Sequence, residues 1–214
     1  VSDFTELETA NFKINAQLAP SNSATGFVLS SDKVKIGRNA GPTRPQPTTW
    51  NQSKFGPSPT AWKLEDTHIF SSAFYLTGMY SIVNGGFQLA PQAGATFNDP
   101  NTQLDANFIW QQNFLLYQTE RPQEQLKADA SSFFNTGNLS HALKFGAGYR
   151  EAQVDTLTRW PGFGLELNYY KAFGYNSNVI GLTRDAFPSI LQEYTSVYLQ
   201  DTMTIGNLTA NVGL

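Results

Sequence analysis

Residues 191–214 read LQEYTSVYLQDTMTIGNLTANVGL, and this stretch decides the fold. Two alternating runs meet at Gly206-Asn207, a dipeptide typical of tight turns. Successive side chains of a strand point to opposite faces, so the alternation predicts a β-hairpin with one apolar and one polar face. In the second run the apolar positions are Leu208, Ala210, Val212 and Leu214, and the others are Thr209, Asn211 and Gly213.

The first run of the hairpin alternates in the same way. Its apolar positions are Val197, Leu199, Met203 and Ile205, and its polar ones include Gln192, Ser196, Gln200, Thr202 and Thr204. An apolar face needs either a protein core or lipid, and a polar face needs water. The hairpin therefore fits either a soluble β-protein or a membrane barrel with a water-filled lumen.

Alternation recurs along the chain, and the connections between the predicted strands are by turns short and long. The short ones are Pro20–Ala24, Ser71–Ser72, Asn135–Ser140 and Gly206–Asn207; the long ones are Gly37–Ala61, Ala90–Gln103 and Glu151–Ser189. Tight turns at one end and long external loops at the other are typical of an antiparallel up-and-down transmembrane β-barrel. Leu104–Phe134 then has to cross once, with Pro122 at a bulge or in an external extension, which gives about eight crossings.

Composition excludes several classes of function. Charged residues make up 14% of the 214 residues, against about 25% in an ordinary soluble domain, and aromatic residues another 14%. The net charge of −3 argues against nucleic acid as a partner, since phosphate binding needs a basic surface. The absence of cysteine excludes disulfides and thiolate metal sites.

Three charged positions favour the membrane interpretation. Lys13, Lys144 and Arg150 fall on the polar faces of their predicted strands. On a lipid-facing surface at mid-membrane each would cost about 2–4 kcal/mol. The faces opposite them are apolar, as contact with lipid requires.

Several stretches resemble TonB-dependent outer-membrane receptors. YTSVYLQDTMTIGNLTANVGL is similar to a hairpin common in that family, and LSHALKFGAGYR is similar to a strand that enters a long extracellular loop. KLEDTHIFSSAFYLTGMYS, the loop Gly41-Pro42-x-Arg44-Pro45 and Arg121-Pro122-Gln123 resemble the Oar-like branch. The resemblance covers most of the chain.

The resemblance implies a segment of a larger barrel of about 22 strands in the bacterial outer membrane. It also implies a plug domain and the TonB complex as partners of the full-length protein, with lipid around the barrel and an unknown extracellular ligand. Neither a plug nor an energy-coupling box is found in residues 1–214, and the sequence stops in mid-strand at Leu214. We therefore expect all of residues 1–214 to belong to one barrel domain.

Candidate site residues lie in the predicted external loops 37–61, 90–103 and 151–189. Aromatic and cationic side chains there could either anchor the barrel at the membrane interface or contact a ligand; the candidates are Arg44, Trp50, Trp160, Tyr169 and Tyr170. The two histidines, His68 and His141, show no ligand spacing for a metal. No nucleophile elbow or phosphate loop is present, so the sequence predicts no enzyme, catalytic residue or cofactor.

Two alternatives remain beside an energy-coupled receptor. The first is a structural or adhesive outer-membrane β-protein without transport. The second is a soluble all-β domain that binds or hydrolyses carbohydrate.

Overall fold

The computed structural model describes residues 4–45, 48–92, 102–105, 107–111, 115–161, 165–172, 175–182 and 184–214. Within these ranges, the side chains of 102, 103, 111, 165–172 and 175–180 are not described. In the described part of the chain, no helix is long and apolar enough to cross a membrane.

Thirteen strands account for most of the described residues. Their bounds are β1 Phe4–Ala19, β2 Asn22–Arg38, β3 Trp50–Lys54, β4 Ala61–Ser71, β5 Phe74–Pro91, β6 Thr102–Leu104, β7 Trp110–Gln111, β8 Leu116–Thr136, β9 Leu139–Arg159, β10 Leu165–Ala172, β11 Tyr175–Leu182, β12 Ser189–Ile205 and β13 Leu208–Gly213.

The main sheet runs in chain order, with every neighbouring pair antiparallel. Its path is β1-β2-β3-β5-β8-β9-β12-β13, and β4 also lies between β2 and β5. Because β3 and β4 occupy one position, the sheet makes eight crossings, as the alternation of loops predicted. β1 and β13 each pair with one neighbour among the described residues, so this sheet is not closed.

β3 and β4 together form one crossing of the sheet between β2 and β5, which is interrupted at residues 55–60. The backbone N–H of Lys54 donates to Asp32 Oδ1 at 3.1 Å, and the N–H of Ser31 donates to Thr60 Oγ1 at 2.9 Å. These side chains satisfy backbone groups that the interruption would leave without partners. The range 37–61, predicted as a loop, therefore contains a strand that continues the sheet.

The four tight connections all lie at one end of the sheet. Two are two-residue turns, Gly137-Asn138 and Gly206-Asn207, in which the glycines have φ of 62° and 55°. A positive φ at the first turn residue alone fits a type II′ turn, whose twist matches that of a hairpin. The predicted turn at Gly206-Asn207 is confirmed.

β8 crosses once without a register shift. Its pairing with β5 runs unbroken through Pro122, which lies opposite Asn84. On the β9 side no pairing is formed at Arg121 or Pro122, and regular pairing resumes at Gln123. Proline lacks an N–H donor, so it interrupts the hydrogen bonds on one side while the strand continues.

A second, four-stranded sheet has the order β11-β10-β6-β7. β10 and β11 form an antiparallel hairpin, and β10 pairs with β6 in parallel. Both strands of this hairpin fall within the predicted loop 151–189, as do residues 151–159 of β9. The predicted loop 90–103 lies mostly outside the described residues.

The main sheet has two distinct faces and almost no core between layers. Leu89, Ala130 and Pro161 are the only buried apolar side chains in the described ranges. The accessible surface is 13421 Å², against about 9,800 Å² for a compact monomer of this mass. The side chains are thus arranged for two different surroundings, one on each side of a single sheet.

We call the apolar side the outer face and the polar side the inner face. Directly opposite residues of paired strands share a face, so the register assigns each residue. Large apolar side chains on the outer face are exposed, among them Phe12, Ile14, Leu64, Leu126, Val197, Leu199 and Val212. Thr209, Asn211 and Gly213 lie on the inner face with Thr204, Thr202 and Gln200, which confirms the predicted split of the hairpin.

Candidate functional site

Two of the predicted candidates, Arg44 and Trp50, are in contact at the end of the sheet with the long connections. The guanidinium carbon of Arg44 lies 5.6 Å from the centroid of the Trp50 ring and 4.9 Å from that of Trp110. Both distances are within the range of cation–π attraction. We call these three residues the rim cluster.

Backbone contacts position the rim cluster. Gly41 and Arg44 exchange N–H···O hydrogen bonds of 3.0 and 3.1 Å, which close a small turn. The backbone N–H of Trp110 donates to Thr43 O at 2.9 Å, and the Trp50 Nε1–H donates to Leu115 O at 2.7 Å. The cluster therefore ties the connection after β2 to the connection between β5 and β8.

The rim cluster is built to hold these connections together. Burial lowers the pKa of Arg44 below its ordinary value, but an arginine remains charged at neutral pH. Its guanidinium lies close to two indole rings, and Trp50 is half-buried. These contacts leave a ligand less access to Arg44 than an open loop arginine would give.

The other predicted candidates lie after β9 and in β10. Trp160 follows the last residue of β9 and is half-buried next to the fully buried Pro161. Tyr169 and Tyr170 lie in β10, opposite Asn178 and Ser177, and their side chains are outside the described part of the structure. Their role in ligand contact stays a prediction.

The inner face of the main sheet carries charged and aromatic side chains that lie in register across the strands. One row of directly opposite residues crosses seven strands: Lys13, Phe27, Lys63, Ser81, Gln125, Arg150 and Tyr194. Three of its seven members are cations, and two are aromatic. The Arg150 guanidinium lies 5.5 Å from the centroid of the Tyr194 ring.

Charge is separated between the two faces of the sheet. Ten cations lie on the inner face: Lys13, Lys33, Lys35, Arg38, Lys54, Lys63, Arg121, Lys127, Lys144 and Arg150. The carboxylates of the paired inner-face positions are Glu65 and Asp129. The net charge of −3 for the whole chain therefore conceals a basic inner face.

The outer face has the opposite sign. Its carboxylates are Glu6, Glu8, Asp32, Asp66, Glu120, Glu124, Glu151, Asp155, Glu193 and Asp201, and its one cation in the paired positions is Arg159. Arg159 is paired with Asp185 at 2.8 Å. No lysine in the paired positions of the main sheet lies on the outer face.

Carboxylates mark the upper limit of the apolar band on the outer face. Glu124, Glu151 and Glu193 lie directly opposite one another on β8, β9 and β12. The hydroxyl of Tyr149 donates to Glu151 at 3.1 Å and to Glu193 at 2.8 Å. Like charges in register repel, so this row requires water or counter-ions and is unsuited to the hydrocarbon region.

A contact between His141 and Asp201 marks the lower limit of the apolar band. His141 Nδ1 lies 2.6 Å from Asp201 Oδ2, and the Phe134 ring stacks on the imidazole with centroids 4.6 Å apart. Glu151 and His141 are ten positions apart on β9. At about 3.3 Å per residue and a tilt of about 40°, they span about 25 Å along the barrel axis. That is the height of the apolar band of an outer-membrane barrel.

The other histidine has similar surroundings. His68 lies two positions from Asp66 on the outer face, and its ring meets that of Phe70 edge-on at 4.5 Å. The Asn22 side-chain amide donates to both oxygens of Asp66 at 2.9 and 3.0 Å. Both histidines thus lie near tight turns beside a carboxylate and a phenyl ring. In the described ranges no three His, Asp or Glu residues are grouped to hold a metal.

One inner-face contact depends on a glycine. A Cβ at Gly146 would lie 2.5 Å from Tyr198 Cε1 and 2.6 Å from Asp129 Oδ1, so only glycine leaves room for them. The Tyr198 hydroxyl donates to Asp129 Oδ1 at 2.7 Å, and Lys127 Nζ lies 2.8 Å from Asp129 Oδ2. Gly146 and Gly148 therefore lie on the inner face, and Ala147 between them lies on the outer face.

The fold is similar to that of a solved outer-membrane transporter. The structure is the crystal structure of the outer membrane transporter YddB from Escherichia coli, with a TM-score of 0.60 at 13% sequence identity. The match covers 97% of this chain and 26% of that chain, so the chain spans about a quarter of its length. No family model matches the sequence, and no curated protein matches it.

This likeness confirms the predicted fold class, an antiparallel up-and-down barrel sheet. At 13% identity it does not distinguish the Oar-like branch from other barrels of this kind. The sequence located Lys13, Lys144 and Arg150 on the inner face but missed the other seven cations. The alternation along each strand separates its residues into two sets. The pairing registers of β2, β3, β4 and β8 are needed to decide which set faces inward.

Proposed function

We propose that the chain forms part of the barrel of an energy-coupled outer-membrane receptor that imports a ligand. The supporting observation is the pair of faces: an exposed apolar band of about 25 Å on one side and a charged polar wall on the other. A soluble domain would have to cover the apolar face with a second layer. The likeness to a transporter barrel supports the same proposal.

The finer assignment is to the TonB-dependent family, and within it to the Oar-like branch. It is supported by the sequence resemblance in the hairpin of β12 and β13, in β9 and in the loop around Arg44. On this proposal the full-length protein lies in the bacterial outer membrane, surrounded by its lipid. It contains a plug domain, contacts the TonB complex and binds an extracellular ligand. No enzymatic step is proposed.

The first experiment tests the membrane location. The full-length protein is expressed in a Gram-negative host, membranes are fractionated, and the outer-membrane fraction is run on gels with and without heating. A folded barrel resists detergent until it is heated, so its mobility changes. Recovery in the soluble fraction without detergent would refute the barrel proposal and favour the carbohydrate-binding domain.

The second experiment separates transport from adhesion. A receptor of this family needs a plug and an energy-coupling box, which the full-length coding sequence either encodes or lacks. Where both are encoded, deleting the box is expected to abolish ligand accumulation and leave the protein in the outer membrane. A full-length protein in that membrane without a plug would favour the structural or adhesive alternative.

A further inference from the structure

We propose that the inner face binds a small organic anion, with its acid group between Lys13 and Lys63 and its apolar part against Phe27. This inference rests on the proposed function and names the chemical class of the ligand. Carboxylate and phosphate groups share the chemistry that two ammonium groups recognise.

An open pocket of about 460 Å³ lies at this position on the inner face. Its inner-face lining is Lys13, Phe27, Ala61, Lys63, Ser81 and Val83. Small-molecule sites typically occupy about 300–1,000 Å³ and combine apolar walls with a few polar groups. The phenyl ring of Phe27 and the side chain of Val83 supply the apolar wall here, and two lysines supply the charge.

The register places the two lysines on either side of the aromatic ring. Lys13 on β1 and Lys63 on β4 are both directly opposite Phe27 on β2. Two strand spacings separate them, about 9–10 Å, which leaves room for one acid group between two ammonium groups. Lysine stems are flexible, so both can converge on a ligand.

The local charge is positive even after internal pairing. Lys63 Nζ lies 3.0 Å from Glu65 Oε2, whereas Lys13 has no hydrogen bond or ion pair with any described residue. One carboxylate therefore offsets one of the two lysines, and Lys13 is free to bind an anion. Arg150 in the same row and the other inner-face cations add a field of the same sign.

The experiment uses three probes with one apolar body: 4-phenylbutyrate, 4-phenylbutyl phosphate and 4-phenylbutylammonium. The full-length protein is held in lipid nanodiscs, and its affinity for each probe is measured by equilibrium dialysis against empty nanodiscs. We expect the two anions to bind and the ammonium to bind at least ten-fold more weakly. The ratio of the two anion affinities distinguishes a carboxylate site from a phosphate site.

Substitutions then locate the site. Lys13→Gln and Lys63→Gln should each weaken anion binding about ten-fold, because each removes a charged hydrogen-bond donor. Glu65→Gln should tighten it, since Lys63 loses its internal partner. Lys144→Gln, an inner-face lysine far from the pocket, is the matched control and should leave the affinity within two-fold.

Three results would overturn the inference. Equal affinity for the ammonium probe would show that charge does not decide binding. Equal loss with the Lys144 control would show a diffuse field without a site. No anion binding, whether from a weak site or from an acidic segment of the same protein filling the pocket, would exclude an open ligand site. The gel-mobility test is read separately, so a protein that forms a barrel but binds no anion refutes this inference alone.

Discussion

Replacing Val197 by arginine tests which face meets lipid. Val197 is 72% exposed on the outer face, opposite Ala147. It lies on β12 four positions from Glu193 and four from Asp201, which bound the apolar band on that strand. Its side chain is therefore at the middle of the proposed hydrocarbon region.

The magnitude follows from that depth. An arginine at the bilayer midplane costs about 2–4 kcal/mol, which lowers the folding equilibrium constant by about 30- to 900-fold. Ser196→Arg is the matched control, one residue away on the inner face and opposite Gly148. Its guanidinium extends into water beside a residue without a side chain, so we expect a loss below about 1 kcal/mol.

The assay is the unfolding equilibrium of the full-length protein in lipid vesicles. Urea is titrated, and the folded fraction is taken from the heat-dependent change in gel mobility. Our reasoning requires the Val197 variant to unfold at lower urea than the Ser196 variant. The opposite order would show that the faces are exchanged, and equal losses would show that neither face meets lipid.

Three further substitutions test single contacts. Gly146→Ala should displace the Tyr198 ring and cost about 1–3 kcal/mol in a thermal or urea unfolding experiment; a loss under about 0.5 kcal/mol would contradict the close contact. His141→Ala should cost about 1–3 kcal/mol because it leaves the Asp201 carboxylate unpaired, and the double variant with Asp201→Ala should lose less than the sum; strictly additive losses would mean that the pair is not coupled. Arg44→Ala should speed limited proteolysis of the connections at the rim without shifting the unfolding midpoint, and unchanged cleavage would argue against the rim cluster as a lock.

The sequence predicted the features that depend on local pattern. Alternation over 208–214 assigned both faces of the last hairpin, and Gly206-Asn207 gave the turn between its strands. The contrast between tight and long connections gave eight crossings, which also required the uncertain stretch around Pro122 to cross once. These inferences need only neighbouring residues, and a strand has the same period wherever it lies.

Features that depend on distant pairing could not be predicted. β3 and β4 share one position in the sheet, but Pro57 and Pro59 between them break the alternation and look like the interior of a loop. The Arg44–Trp110 contact joins two connections that are separated by β3, β4 and β5. Nothing in the local sequence selects Trp110 rather than another tryptophan as the partner.

The separation of charge is the clearest consequence of register. A barrel wall meets lipid on one side and water on the other, so charges on the outer face are expected only at the ends of the apolar band. Glu124, Glu151 and Glu193 lie together at the upper end of the apolar band, as this rule requires. Asp201, at the end with the tight turns, contacts His141. No such restriction applies to the inner face, where either sign could be solvated. Ten cations against two carboxylates there are therefore not a requirement of the membrane, and an anionic ligand is a physical reason for them.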